Sequence, residues 1–297
     1  MSDHQTRRSD TRSRLFCREQ FAACVASTDA ALDLAGAALW LAAEEYPELD
    51  PQVYLGRLES LAERVRVARA RRPGPFASLE ALRGVLVEEE GFAGNTDDYY
   101  DPRNSFLNEV LERRVGIPLT LSLVWIEVAR RAGIDMEGVN LPGHFVVRLL
   151  DRRSPLLVDP FCEGMLLTAE GCEERLRQTH GDDARLSVED LAAAGSKQIL
   201  VRMLNNLRLI YLETEDYGRA LAVVDRLSLL VGDSPRLRRD RGLLFARLQL
   251  YGKAWADLAA YLGSEEMVEA ADEPDDEEVS LLREHLERVR HLAAAPN

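Results

Sequence analysis

The chain has 297 residues, 46% hydrophobic and 30% charged, and is long enough for one large domain or two smaller ones with buried cores. Its formal net charge of −14 argues against nucleic acid as the main partner, because phosphate binding depends on clustered lysine and arginine. Its four cysteines form no C-x-x-C pair, so a zinc site or disulfide scaffold is not expected, and a reducing cytoplasmic location is favoured.

The N-terminal segment, residues 1–14, is polar and of mixed charge, which predicts a flexible tail and no secretory signal. From 16 to 71, apolar residues recur at three- and four-residue spacing, typical of packed helices. The longest uncharged apolar stretches, 34–43 and 116–126, are about half of the roughly 20 residues that a membrane helix needs. They are predicted to be core helices, so no membrane association is expected.

Another helix is predicted over 79–90, followed by a loop over 91–101 that is rich in glycine and aspartate. Asp101 and Pro102 then form a typical helix start, with aspartate as the N-cap and proline at the first helical position. This helix is expected to run to about Arg114.

The next helix, 119–132, is apolar on nearly every side in its first half and ends before Gly133. Such a helix is buried on nearly every side, so it is predicted to lie at the centre of a domain. Two short strands joined by a hairpin are predicted after it, over 145–150 and 155–159.

The C-terminal third contains an internal repeat. Residues 217–221, Tyr-Gly-Arg-Ala-Leu, recur at 251–255 as Tyr-Gly-Lys-Ala-Trp, a shift of 34 residues, which is the period of tetratricopeptide repeats. The acidic segment 265–278 is predicted to be a solvated linker, and the apolar stripe of 279–292 predicts a last helix that caps the repeats.

Two polar residues flank the predicted hairpin in a way that suits chemistry. His144 precedes the first strand and Asp159 ends the second, so both side chains are expected at the same end of the hairpin. A carboxylate facing an imidazole fixes its tautomer and stabilises its charged form, as in a nucleophile-His-Asp site. The alternative is a structural histidine in a turn and an aspartate that caps a strand.

Four motifs, at 104–108, 113–119, 138–145 and 158–161, resemble the SirB-type transglutaminase-like family. The resemblance covers roughly 32–262 and includes the C-terminal tetratricopeptide repeats that are typical of that family. It implies an α+β fold that is mostly helical, with a transglutaminase-like core, a small antiparallel sheet and an all-α repeat region.

The resemblance also implies a site in which a cysteine begins a buried helix and a histidine and an aspartate follow on strands. The histidine and aspartate correspond to His144 and Asp159, whereas the cysteine position corresponds to Pro118, and no cysteine lies between Cys24 and Cys162. Proline has neither an ionisable group nor an N–H, so thiol chemistry of the usual kind is not expected.

Two hydroxyls and one thiol could substitute for the nucleophile. Ser122 and Thr120 lie inside the helix, where hydroxyls usually bond to the preceding turn, so neither is favoured. Cys162 is a weak alternative, because it lies in a loop after the second strand.

A binding role is a further possibility. Arg113, Arg114 and Asn140 are the candidate ligand-binding residues, with the arginines and His144 placed to hold a carboxylate or phosphate at the start of the central helix. Arg113 and Arg114 could instead complement the C-terminus of their own helix. An acidic, aromatic loop at 97–101 is expected to border the cleft, since its spacing matches no calcium site.

The sequence therefore predicts a tail at 1–14, a transglutaminase-like domain at 15–190 and repeats at 196–297. The leading hypothesis is a non-catalytic scaffold whose repeats hold a protein partner and whose cleft binds a peptide or small anion, without a cofactor or metal. The rival is a hydrolase or acyltransferase that uses His144 and Asp159 with Cys162 or an activated water. A third possibility is that the pair only braces the domain.

Overall fold

The structure is a computed structural model of the chain. It describes residues 2–72, 74, 76–150, 155–181, 185–187, 189–263 and 276–294. The chain divides into two compact units, Met1–Met203 and Leu204–Asn297, and the division falls inside a helix that begins at Ser196. The first turns of that helix therefore belong to the first unit.

The helices of the first unit are α1 (Ser2–Val25), α2 (Leu34–Ala43), α3 (Pro51–Ala70), α4 (Ala77–Arg83, continued by a π-helical segment, Gly84–Glu89), α5 (Leu107–Arg113), α6 (Pro118–Arg131) and α7 (Ala169–His180). Residues 2–14, for which the sequence predicts a flexible tail, are helical as part of α1. No proline or glycine lies within α1, so nothing in its sequence interrupts the backbone hydrogen bonds of a helix.

The segment 101–114, predicted as one helix, is two. Asp101 caps a 3-10 turn, Pro102–Ser105, by accepting a hydrogen bond from the Arg103 N–H at 2.9 Å. Phe106 is then extended, with φ −102° and ψ 124°, and α5 follows it. The extended residue turns the Phe106 ring into the core, where it packs edge-on against Tyr46 with centroids 5.5 Å apart. Burial of this ring explains the interruption.

The prediction of a central buried helix is confirmed by α6. Every residue from Pro118 to Ala129 is buried, and the helix packs against α3 on one side and the sheet on the other. It ends at Arg131, and Gly133 adopts φ +68°, the left-handed conformation that glycine accommodates at a helix end.

The sheet of the first unit is antiparallel and has the order β6-β5-β4-β3-β7. Its strands are β3 (Met136–Val139), β4 (Val146–Leu149), β5 (Leu156–Asp159), β6 (Met165–Leu167) and β7 (Ala193–Ala194), and a separate parallel pair is formed by β1 (Ala93–Gly94) and β2 (Val115–Gly116). The predicted hairpin is confirmed as β4 and β5, which pair in the register Val147↔Val158. This register brings the start of β4 to the end of β5.

The second unit contains the rest of α8 (Ser196–Glu213), together with α9 (Tyr217–Val231), α10 (Pro235–Arg247), α11 (Tyr251–Leu262) and α12 (Asp276–Ala294). Both copies of the repeated motif begin a helix, α9 and α11. Ala220 and its equivalent Ala254 are fully buried, as are Val224 and its equivalent Leu258. Equal burial at equivalent positions confirms the repeat.

The last helix packs on the repeats as predicted, because Leu282 and Leu286 of α12 join a cluster with Leu258 and Tyr261 of α11. Most of the acidic segment predicted as a linker, 265–278, lies outside the described residues. Within the parts of the chain that the structure describes, no helix has the length and apolar character needed to cross a bilayer.

Candidate functional site

His144 and Asp159 are in direct contact at one end of the β4–β5 hairpin. His144 follows a tight turn in which its N–H donates to the Leu141 carbonyl at 3.1 Å, and Asp159 is the last residue of β5. The His144 Nε2 and Asp159 Oδ2 atoms are 2.9 Å apart. The Asp159 side chain is fully buried and that of His144 is 15% exposed, so the pair has one face toward the interior and one toward the surface.

The surroundings of Asp159 fix the role of each imidazole nitrogen. Its other oxygen, Oδ1, accepts hydrogen bonds from the N–H groups of Phe161 at 3.0 Å and Cys162 at 3.4 Å. These donors offset the cost of burying a carboxylate. Because a carboxylate only accepts, His144 Nε2 is the donor of the pair, and Nδ1 of the neutral ring is left as a proton acceptor. This half of the site can therefore hold or receive a proton.

Pro118 occupies the first position of α6. The preceding N–H, that of Ile117, donates to Thr120 Oγ1 at 3.2 Å, and Thr120 Oγ1 donates to the Asn104 carbonyl at 2.6 Å. The start of α6 thus has its backbone and hydroxyl groups engaged within the domain. Proline offers no nucleophile and no N–H for an oxyanion here.

The two helix hydroxyls that could substitute for a nucleophile lie in the interior of the domain. Thr120 and Ser122 are both fully buried, and Ser122 Oγ donates to the Phe145 carbonyl at 3.4 Å. Cys162 belongs to a 3-10 turn, Pro160–Cys162, directly after Asp159. Its side chain is half-buried, and it remains the candidate thiol of the rival hypothesis.

The predicted ligand-binding arginines each contact a carboxylate of the domain. Arg113 lies 3.4 Å from an Asp101 oxygen, and Arg114 lies 3.0 Å from a Glu90 oxygen. Arg114 also ends α5 in the left-handed conformation, with φ 60°. Neither arginine has a described contact with His144. A ligand-binding role for Arg113 and Arg114 therefore stays a prediction.

Asn140, the third predicted ligand-binding residue, contacts Arg202, a cation that the sequence pattern does not indicate as part of a site. Its Oδ1 accepts a hydrogen bond from Arg202 of α8, whose guanidinium also donates to the Leu141 carbonyl at 3.4 Å. The guanidinium carbon lies 5.6 Å from the centre of the Phe145 ring. Burial lowers the pKa of Arg202. A half-buried cation thus lies beside the turn that carries His144.

An aromatic surface extends from His144 to the acidic loop predicted to border the cleft. The ring of Phe161 meets that of His144 edge-on at 6.3 Å, and Tyr99 meets Phe161 at 6.2 Å. Tyr99 is 41% exposed and Tyr100 is 68% exposed. Burial raises the pKa of Tyr99, and the nearby charge of Arg202 opposes that shift. The loop therefore forms an exposed aromatic edge next to the histidine.

Asn104 connects this loop to the start of α6. Its side-chain amide donates to the backbone carbonyls of Asp98 at 2.7 Å and Tyr99 at 3.2 Å. The backbone carbonyl of Asn104 accepts a hydrogen bond from the Thr120 hydroxyl. The Asn104 side chain is fully buried. The motif at 104–108 therefore positions the loop and the helix start together.

Comparison with known proteins agrees with this architecture. A family model described as the transglutaminase-like superfamily matches residues 52–205, and a tetratricopeptide repeat model matches residues 207–287. A UPF0162 protein of Xylella fastidiosa is 41% identical over 237 residues, which are 79% of this chain and 84% of that protein. A UPF0162 protein of Vibrio cholerae is 28% identical over 233 residues, 78% of this chain and 86% of that protein.

A similarity of narrower extent involves a eukaryotic protein. Human F-box only protein 21 is 36% identical over 137 residues, which are 43% of this chain and 21% of that protein. No solved structure matches the chain. These similarities confirm the resemblance inferred from the four motifs and the repeat.

Proposed function

Because the chain belongs to the transglutaminase-like superfamily and carries tetratricopeptide repeats, we propose that it is a protein-binding module whose cleft no longer performs thiol chemistry. The repeats hold a protein partner, since stacked helical repeats present extended binding surfaces. The cleft at His144 and Asp159 binds a peptide or a small anion.

The observation that carries this proposal is Pro118 at the first position of α6. A thiolate at a helix N-terminus is stabilised by the helix dipole and by a nearby imidazole, and this chain has no thiol there. The histidine–aspartate pair is intact, with a 2.9 Å hydrogen bond. Retention of the pair without the nucleophile fits a cleft that holds a ligand and does not cleave it.

The anion-binding half of the proposal is supported by Arg202. Its guanidinium contacts the Asn140 side chain and the Leu141 carbonyl, and neither contact neutralises its charge. A half-buried guanidinium is a strong partner for a carboxylate, because charge-assisted hydrogen bonds gain strength away from water. The exposed rings of Tyr99 and Tyr100 offer an apolar surface for the rest of a peptide.

A turnover assay tests the loss of chemistry. Purified full chain and His144→Ala are compared for hydrolysis of peptide amides and for incorporation of an amine into a glutamine peptide. We expect equal background in both. Turnover that His144→Ala abolishes, at an unchanged unfolding temperature, would contradict the proposal.

An acetate titration followed by NMR tests the cleft as an anion site. We expect the His144 ring signals of the full chain to shift with acetate, and we expect this shift to disappear in Arg202→Gln. Arg148→Gln is the control, because Arg148 already pairs with Glu137. Equal shifts in all three proteins would show that the cleft has no anion site at Arg202.

Affinity capture from the native cell with the tagged full chain tests the protein-binding role. A truncation before Ser196 is a poor control, because it removes Leu200 and Met203, which are fully buried parts of the first unit. Full-length variants with substitutions on the surface of the repeats are better controls, because they keep Leu200 and Met203 in the first unit. Failure of the intact chain to retain any partner under cross-linking would argue against the role.

A second candidate function is the hydrolase or acyltransferase with Cys162 or an activated water. The observation that favours it is the 2.9 Å contact of His144 Nε2 with Asp159, because a neutral imidazole that donates there carries its basic nitrogen at Nδ1. Cys162→Ser separates its two forms. Activity lost in Cys162→Ser and in His144→Ala supports the thiol form, and activity lost only in His144→Ala supports the water form.

A further inference from the structure

The second unit contains a groove that the transglutaminase-like site does not involve. It lies between α8, α10 and α12, and its volume is about 690 Å³. This volume falls within the roughly 300–1,000 Å³ that is usual for ligand sites. The groove is therefore large enough to take a short segment of another molecule.

Positive charge predominates among the groove side chains. Among the residues that the structure describes, Arg208, Arg239 and Arg247 line it together with two carboxylates, those of Glu215 and Asp240. Asp240 is shared, since its oxygens lie 2.6 Å from Arg208 and 3.1 Å from Arg239. In a chain with a net charge of −14, this excess of arginine is a local exception that favours an acidic occupant.

Two buried nitrogen atoms in the groove lack a hydrogen-bond partner among the described residues, Nε of Arg208 and Nε2 of His285. Burying a polar atom without a partner costs about 1–3 kcal/mol, so native structures rarely leave one unsatisfied. Burial, and after it the charges of Arg288 and Arg247, lowers the pKa of His285. A ligand that brings an acceptor oxygen would satisfy the Arg208 N–H, whereas Nε2 of His285 donates or accepts according to the tautomer of the ring.

Exposed leucines lie beside the cations. Leu209 and Leu212 are 58% and 41% exposed and lie one turn apart on α8, so they share a face of that helix. Adjacent apolar and cationic surfaces suit a ligand that carries both aliphatic and acidic groups. A peptide provides this combination, whereas a nucleic acid would require a larger cluster of cations.

We propose that this groove binds an acidic peptide segment of a partner protein, with carboxylates on Arg247 and Arg208 and aliphatic side chains on Leu209 and Leu212. The inference rests on the proposed protein-binding function and names the site and the chemistry of the partner. Arg247 is the arginine best placed to bind a carboxylate of the peptide. Its described contact is with the Tyr217 ring, 5.6 Å from its guanidinium carbon, and that contact does not neutralise its charge.

Selection from a random-peptide display library tests the inference with the full chain as bait. We expect the wild type to enrich peptides that combine aspartate or glutamate with leucine or isoleucine, and Arg247→Glu to lose this enrichment. Lys253→Glu is the matched control, because it makes the same charge change at an exposed position outside the groove. Circular dichroism and thermal unfolding verify that both variants are folded.

A selected peptide is then synthesised, and its affinity is measured by fluorescence anisotropy. We expect Arg247→Glu to weaken binding by at least about tenfold, or about 1.4 kcal/mol, and Lys253→Glu to change it by less than about twofold. Replacing each acidic residue of the peptide with its amide should weaken binding to the wild type in the same way.

The outcomes separate this inference from the proposed function. Enrichment of peptides without acidic residues, or equal enrichment by the wild type and Arg247→Glu, overturns the groove site but leaves a peptide-binding repeat region. Enrichment of no peptide at all also overturns the groove site, and capture of partners by the intact chain then decides the proposed function independently.

Discussion

The centre of the first unit and the groove of the second use apolar side chains in opposite ways. In the first unit every residue from Pro118 to Ala129 is buried, and the Phe145 ring beside His144 is 1% exposed. In the second unit Leu209 and Leu212 remain 58% and 41% exposed beside arginines. The buried side chains of the first unit hold His144 and Asp159 in place, whereas the leucines of the groove are exposed to solvent. Substitutions should therefore affect stability in the first region and binding in the second.

The largest test of this contrast compares two tryptophans. Trp125 of α6 is fully buried, and its ring packs against the backbone of Gly164, whereas Trp255 of α11 is 44% exposed. We expect Trp125→Ala to lower the free energy of unfolding by about 3–5 kcal/mol through the cavity it leaves, and Trp255→Ala by about 0.5 kcal/mol. Urea unfolding followed by circular dichroism measures both. Equal losses would contradict the contrast.

The next effect concerns the buried carboxylate of the pair. Asp159→Ala removes the acceptor for His144 and for the N–H groups of Phe161 and Cys162. We expect a loss of about 2–3 kcal/mol, because hydrogen bonds to a charged group are strong and their donors are left partly buried. Asp97→Ala, at an exposed loop position, is the control and should change the free energy of unfolding by at most about 0.5 kcal/mol.

A thiol introduced at the start of α6 tests whether position 118 faces His144. Position 118 is buried, which affects both proteins equally, so we expect the Pro118→Cys thiol to have a lower pKa, and to be alkylated about tenfold faster at neutral pH, than the same thiol in Pro118→Cys with His144→Ala. Iodoacetamide labelling, with mass spectrometry to separate the four native cysteines, measures this rate. Equal rates would show that position 118 does not face His144.

The smallest expected effect concerns Arg114, which the sequence predicts as a ligand-binding residue. The Arg64 guanidinium chiefly, with Arg114, holds the pKa of Glu90 below its ordinary value near 4.5, against the opposing effect of burial. A carboxyl whose pKa is depressed by folding contributes stability above its unfolded pKa and loses it as the pH falls through the folded pKa.

Glu90→Gln should therefore lower the free energy of unfolding at neutral pH by about 0.5–1 kcal/mol, as usual for partly exposed ion pairs. The difference from the wild type should shrink as the pH falls below about 4.5. Urea unfolding over a pH series measures it. Glu88→Gln leaves the pairs with Arg64 and Arg114 intact and is the control; a difference independent of pH would contradict this account.

The elements that sequence predicted well are those with a local pattern. The first half of α6 is apolar on nearly every side, which predicts a buried helix. The two apolar segments 145–150 and 155–159 predict a hairpin with His144 and Asp159 at one end. The repeat was predictable because the motif at 217–221 recurs at 251–255, and equivalent positions such as Ala220 and Ala254 are equally buried in the structure. Each of these features depends on residues close in sequence.

The features that sequence missed depend on distant contacts. Strand β3 contains Glu137 and Gly138, which have low strand propensity, and it forms because β4 and β7 pair with it on either side. Arg202 lies on a helix whose pattern predicts only packing of repeats, far in sequence from the Asn140 side chain that it contacts. Nothing in its local sequence indicates that it lies beside the turn that carries His144.

Gly94 has a consequence for the genetics of this protein. A Cβ atom at this position would lie 2.6 Å from the ring of Phe161, whose edge contacts His144. Even the change to alanine therefore forces this ring to move, and the ring packs against both the imidazole of His144 and the ring of Tyr99. In a screen of random alleles, loss-of-function changes should accumulate at position 94, which carries no functional group of its own.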